Sequence, residues 1–189
     1  YQEETGQTVC VACSVGGFCP EGAVAPTLCA AGSFSNSEGN TAQSDCEPCT
    51  QGHSCGPGAT APTVCATGTY SASEGAKACT ACAAGLYQDA EGSEACLTCT
   101  PGGYCGVGSS VAKPCASGSY GATTGLASQD DCTACPPGSA CSLGATEPAE
   151  CAAGTIAPGG GASECAACGA GSFQASKGQT ACETCTAGG

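Results

Sequence analysis

The sequence predicts small disulfide-rich repeats forming an extended rod of short β-hairpin modules, with little regular secondary structure and no shared hydrophobic core. Three observations predict it: 22 Cys in 189 residues, a cysteine spacing that recurs with a period of 86, and a glycine three residues after one cysteine of every module. The apolar content agrees. Hydrophobic residues make up 41% of the chain, but 35 are Ala and 22 are Cys, leaving only 21 Val, Leu, Ile, Phe and Tyr. So few large side chains cannot build a sizeable shared core. Dense cysteine with little else to bury is the signature of a scaffold closed by disulfides, which form and persist outside the cytosol. An extracellular or cell-surface location follows.

The repeat is legible from the CxxC pairs. Their first cysteines are Cys10, Cys46, Cys79, Cys96, Cys132, Cys165 and Cys182, giving steps of 36, 33, 17, 36, 33 and 17. Residues 10–95 align without a gap on 96–181, with 35 identities, ten of them cysteines. Two super-repeats result. The first (10–95) divides into units 10–45, 46–78 and 79–95, and the second (96–181) into 96–131, 132–164 and 165–181. Residues 1–9 read as the end of another repeat, because Tyr1-Gln2 aligns with Tyr87-Gln88; residues 182–189 read as the start of a third. On this reading the chain is a window on a longer array.

Within each unit the motif C-x-x-G-x-φ recurs, as in Cys29-Ala-Ala-Gly-Ser-Phe34, Cys65-Ala-Thr-Gly-Thr-Tyr70, Cys82-Ala-Ala-Gly-Leu-Tyr87, Cys115-Ala-Ser-Gly-Ser-Tyr120, Cys151-Ala-Ala-Gly-Thr-Ile156 and Cys168-Gly-Ala-Gly-Ser-Phe173. A variant, C-x-x-G-x-x-C, starts at Cys13, Cys49, Cys99 and Cys135, and Gly188 follows Cys185 at the same distance. The glycine marks a tight turn into a short extended segment. A second turn follows at clusters such as Asn36-Ser-Glu-Gly39 and Asp89-Ala-Glu-Gly92, so each module is a hairpin. Phe18, Phe34, Tyr70, Tyr87, Tyr104, Tyr120 and Phe173 stand five residues after a Cys, where each can pack on the disulfide of its own module. Helices are disfavoured, since no Cys-free stretch exceeds 16 residues and each is broken by Gly.

Paired CxxC motifs also suit zinc, but a zinc site closes with four ligands. Here ten cysteines recur per 86 residues with no recurring His, so spare thiols would remain. No metal or other cofactor is expected. The repeat also constrains the bridges. A self-contained 17-residue unit can close only on the next CxxC, giving Cys82–Cys96 and Cys168–Cys182. The shared motif extends this to Cys29–Cys46, Cys65–Cys79, Cys115–Cys132 and Cys151–Cys165. Elimination leaves Cys13–Cys19, Cys49–Cys55, Cys99–Cys105 and Cys135–Cys141, with Cys10 and Cys185 left for partners outside the chain. Crossed pairing within the long units, such as Cys13 with Cys29 and Cys19 with Cys46, is the competing pattern.

Sixteen acidic residues face only Lys77, Lys113 and Lys177, a formal charge of -13, so no basic patch exists for nucleic acid or an anionic membrane. No apolar run has membrane-spanning length. Asp130-Asp131 lacks the oxygen-rich loop that a calcium site needs. His53, the one histidine, is replaced by Ser139 in the other super-repeat and is expected in an exposed loop; no catalytic set recurs with it, and no enzyme activity is expected. Neither Asn36 nor Asn40 begins an N-glycan sequon, while 19 Ser and 20 Thr are compatible with O-glycans.

The segment from Gly17-Phe-Cys-Pro-Glu-Gly22 through Cys29-Ala-Ala-Gly-Ser-Phe-Ser35 to Cys46-Glu-Pro-Cys49 resembles the GCC-type, or ephrin-receptor-like, cysteine-rich repeats of the wider TNF-receptor and growth-factor-receptor class. In that class the similar C-x-x-G-x-[FY] module closes on the Cys before the next x-x-C, which the resemblance carries to Cys29–Cys46. The resemblance implies a large secreted or surface protein, such as a receptor ectodomain, a protist surface protein or a mastigoneme-like flagellar hair. An 86-residue period without insertions, and the absence of Arg and Trp anchors, favour a structural component of a filament, flagellar-hair-like appendage or cell-surface stalk, assembling with like or partner chains. A ligand-binding receptor or adhesin ectodomain is the alternative.

Overall fold

The computed structural model describes residues 1–186, so Gly188 lies outside the described residues. By contact the chain divides into two compact units, Tyr1–Cys82 with Gln88–Cys96, and Ala83–Tyr87 with Leu97–Gly189. Among the described residues the regular structure consists of two-stranded antiparallel hairpins and two short 3-10 turns. In the first unit Gly17–Phe18 pairs with Thr27–Leu28, Ser33–Phe34 with Glu47–Pro48, His53–Ser54 with Thr63–Val64, and Thr69–Tyr70 with Thr80–Ala81 (hairpins 1 to 4). In the second, Leu86–Tyr87 pairs with Leu97–Thr98, Gly103–Tyr104 with Lys113–Pro114, and Ser119–Tyr120 with Thr133–Ala134 (hairpins 5 to 7). There too Ser139–Ala140 pairs with Ala149–Glu150, Thr155–Ile156 with Ala166–Ala167, and Ser172–Phe173 with Glu183–Thr184 (hairpins 8 to 10).

Each strand is the two-residue stretch that the cysteine spacing leaves free. The first strand follows the turn glycine directly, and the second ends one residue before the cysteine that opens the next turn. Hairpins therefore straddle the sequence units: unit 10–45 holds hairpin 1 and only the opening strand of hairpin 2. Seven of the eight aromatic residues, all but Tyr1, occupy the second position of a first strand and are half-buried, except Phe173, which is 44% exposed.

The 3-10 turns, Gln43–Asp45 and Gln129–Asp131, are local structure that the sequence reading did not foresee. They lie in the loops closed by Cys29–Cys46 and Cys115–Cys132, whose sequence separation is 17; the other long loops span 14 and hold no such turn. Three extra residues make one extra turn, which accounts for the alternation of 36 and 33 in the repeat.

The interior is mostly sulfur. Among the described residues, fourteen of the fifteen buried apolar residues are cysteines, the other being Ala157. Buried polar residues are few, and Gln88 and Gln174, equivalent in the two super-repeats, share one role. Gln88 Nε2 donates to the Ala95 carbonyl (2.6 Å) while its Oε1 accepts from the Ala90 N–H (3.0 Å). Gln174 makes the corresponding bonds to Ala181 and Ser176.

Candidate functional site

The chemistry-bearing residues of this chain are its cysteines. The bridges with a separation of six are Cys13–Cys19, Cys49–Cys55, Cys99–Cys105 and Cys135–Cys141. The longer loops are closed by Cys29–Cys46, Cys65–Cys79, Cys82–Cys96, Cys115–Cys132, Cys151–Cys165 and Cys168–Cys182. Pairing is sequential along the chain, and no crossed bridge occurs among the described residues. Cys10 and Cys185 are exposed and unbridged there. In the chain-entropy account, closing a loop of six-residue separation stabilises by about 2.4 kcal/mol and one of 14 by about 3 kcal/mol. Each hairpin is held by its own staple.

Backbone hydrogen bonds join the staples. The turn glycine of hairpins 1 to 9 donates forward: Gly16 N–H to Ser35 O (2.8 Å), Gly32 to Cys55 (2.8 Å) and Gly52 to Ser71 (2.9 Å) in the first unit. Gly102 to Gly121 and Gly118 to Cys141 (both 2.8 Å) do the same in the second. A second glycine, at the far turn, donates back to the cysteine carbonyl that opens the preceding hairpin, as Gly58 does to Cys29 (2.9 Å) and Gly144 to Cys115 (2.9 Å). The two kinds of glycine also meet across two hairpins. A methyl group placed on Gly52 would meet the Gly92 carbonyl oxygen at 2.1 Å, and Gly138 and Gly178 show the same 2.1 Å approach. Positive φ at Gly52 (+72) and Gly138 (+80) is the other reason that glycine stands there.

The remaining candidates resolve as structural. Asp45 Oδ2 accepts from the N–H groups of Thr41 (2.8 Å) and Ala42 (3.1 Å) and from the Thr41 hydroxyl (3.2 Å). Asp131 repeats this on Ala127 and Ser128. The backbone N–H bonds, that of Thr41 foremost for Asp45 and that of Ala127 for Asp131, hold both carboxyls below their ordinary range. Asp131 is thus a cap for its 3-10 turn. His53 does not lie in a loop: it begins the first strand of hairpin 3 and is half-buried. It takes the position of Gly17 in hairpin 1, so its ring folds back on the turn, with Nδ1 3.0 Å from the Gln51 carbonyl and 3.3 Å from Thr50 Oγ1. Among the described residues no group of His, Cys, Asp or Glu is placed to hold a metal ion, and no helix is long and apolar enough to cross a membrane.

The second turns at Gly39 and Gly92 were read from the sequence, but the contacts of the far-turn glycines with other hairpins, and the Gln and Asp clamps, were not. Gln43, Asp45, Gly58, Gln88 and Gly92 are nevertheless identical to Gln129, Asp131, Gly144, Gln174 and Gly178, so the 86-residue alignment held the signal.

Residues 68–110 and 154–189 match the model described as tyrosine-protein kinase ephrin type A/B receptor-like. Both matches start at a turn glycine, Gly68 and Gly154, one super-repeat apart. No curated protein matches. With ten disulfides and hairpins repeated in register, the chain is an extracellular cysteine-rich repeat module.

Proposed function

We propose that the chain is a structural component of an extracellular filament or cell-surface stalk, without enzymatic activity, that assembles with copies of itself or with other surface proteins. The observation that carries this reading is regularity. The same hairpin, staple and glycine junction recur from module to module, and the 86-residue period is free of insertions. Such an array repeats the same hairpin frame at a fixed spacing, which suits repeated protein contacts better than a single ligand pocket. A receptor or adhesin ectodomain is the second reading, favoured by the receptor-like description of the matched family. Negative-stain microscopy of the purified chain over a concentration series distinguishes the two. Ordered fibres or bundles are the expected result, and particles that stay single at every concentration would overturn the filament reading.

A further inference from the structure

The ten bridges sort the backbone into bonds whose cleavage severs the chain and bonds whose cleavage does not. A cut inside a disulfide loop leaves both ends tied, so one cut separates the chain only between consecutive loops. Some of these connecting segments are two-residue strands pinned between bridged cysteines, such as Glu47–Pro48 and Leu97–Thr98. The other four run nine residues from a short bridge to the next long one: 20–28, 56–64, 106–114 and 142–150. An endopeptidase takes several residues of its substrate in extended form, and only the longer segments can supply them.

Each longer segment contains three residues between its far turn and its strand, 24–26, 60–62, 110–112 and 146–148, that form no backbone hydrogen bond among the described residues of their own unit. Their side chains differ. Val24-Ala25-Pro26 and Ser110-Val111-Ala112 each hold a valine, 70% and 63% exposed. In Thr60-Ala61-Pro62 the one small aliphatic residue precedes a proline, whose ring and missing N–H protect the bond, and Thr146-Glu147-Pro148 holds no aliphatic residue. Lys113, the one cation in the four segments, is protected in the same way by Pro114. The other exposed aliphatic side chains there are held: Val107 and Leu143 sit in far turns closed by Ser109 N–H to Gly106 O (3.2 Å) and Ala145 N–H to Ser142 O (3.1 Å), and Leu28 and Val64 lie in strands.

We propose that the bonds Val24–Ala25 and Val111–Ala112 are processing sites for an endopeptidase that accepts a small aliphatic side chain. Water adds across the amide: its oxygen stays on the valine carbonyl carbon as part of a carboxylate, and its protons end on the alanine nitrogen as an ammonium group. No staple breaks. The two stretches are equivalent, 86 residues apart, so cutting both frees residues 25–111, a piece of super-repeat size closed by the five bridges from Cys29–Cys46 to Cys99–Cys105. Processing of this kind shortens the chain by a whole super-repeat, in a filament and in a receptor ectodomain alike.

Limiting pancreatic elastase on the disulfide-intact chain, followed by non-reducing denaturing electrophoresis and mass measurement, is the first test. Severance is expected with new amino termini at Ala25 and within residues 112–113. A single non-reducing band, or severance within 56–64 or 142–150 as fast as within 20–28 and 106–114, would overturn the assignment. Val24→Lys and Val111→Lys transfer the question to trypsin, whose cuts at Lys77 and Lys177 sever nothing because both lie inside bridged loops. Leu97→Lys is the control: Leu97 is 46% exposed but stands in a pinned two-residue segment. With intact bridges confirmed by mass, trypsin should sever the first two variants at least about tenfold faster than the third. Equal rates, or no severance of Val24→Lys and Val111→Lys, would show that these stretches are not open to a protease and sink the proposal.

Discussion

Replacing Gly52 with Ala tests whether the glycine junctions hold the hairpins together. Two costs are separable. Gly52 has φ +72, where an L-residue costs about 1–2 kcal/mol. Its new methyl group would also lie 2.1 Å from the Gly92 carbonyl oxygen, a backbone atom that can move only by displacing the far turn. Overpacking of that kind costs about 1–3 kcal/mol. Gly39→Ala is the control, because Gly39 has φ +79 and no atom within 4 Å of the added carbon. Hydrogen exchange with the disulfides intact is the assay, since local opening can be read amide by amide. Gly39→Ala should speed exchange of the Gly39 N–H, bonded to Cys13 O, by about 5- to 30-fold. Gly52→Ala should do about 5- to 150-fold more to the Gly92 N–H, bonded to Cys65 O. Equal effects would mean that close approach contributes nothing and that the glycines serve only their turns.

Three further outcomes are expected. Cys79, Cys96, Cys132, Cys165 and Cys182 are half-buried, whereas both residues of Cys13–Cys19, Cys29–Cys46, Cys49–Cys55, Cys99–Cys105 and Cys135–Cys141 are buried; limiting reductant followed by alkylation should therefore label the first group before the second. The Asp45 and Asp131 carboxyls are held below the ordinary value of 3.8, so their contribution is fully present above it and is lost as pH falls below it; protection of the Thr41, Ala42, Ala127 and Ser128 amides should be unchanged from pH 7 to about 5 and fall only below about 4. Trypsin should cut at Lys77 and Lys177, since Lys113 precedes Pro114, and because both sites lie inside the Cys65–Cys79 and Cys168–Cys182 loops, non-reducing gels should show one band and reducing gels fragments.

The sequence carried the covalent frame and lacked the junctions, for a physical reason. A disulfide links residues whose spacing repeats, so Cys82 and Cys96 declare themselves through period alone. A contact such as Gly52 with Gly92 is made by two residues without side chains, forty positions apart, and leaves no compositional trace beyond the glycines themselves. The 3-10 turns were hidden differently. Gln43 and Asp45 look like ordinary loop polar residues until the Gln43 amide is seen to bridge the Ala30 N–H (3.0 Å) and Ser33 Oγ (3.0 Å). His53 was misplaced because a lone histidine without catalytic partners reads as an exposed loop residue, whereas it begins a strand and its ring is held against the turn by the Gln51 carbonyl and Thr50 Oγ1.

That distinction between frame and surface bears on function. Of the 35 positions identical between the super-repeats, ten are cysteines and eleven are glycines; these form the staples and junctions. In an ordinary domain, packing restricts many more side chains, and a changed surface residue often disturbs the core beneath it. Here the interior is sulfur and backbone, so outward positions vary with little structural penalty. The residue before the far-turn glycine shows this: it is Glu21, Glu38, Pro57, Glu74 and Glu91 in the first super-repeat and Val107, Thr124, Leu143, Gly160 and Lys177 in the second, all exposed. On the self-assembly reading, differences of this kind on an unchanging frame would set which partner binds; the pair Leu28 and Pro114, one covering its groove and the other leaving it open, is the sharpest of them.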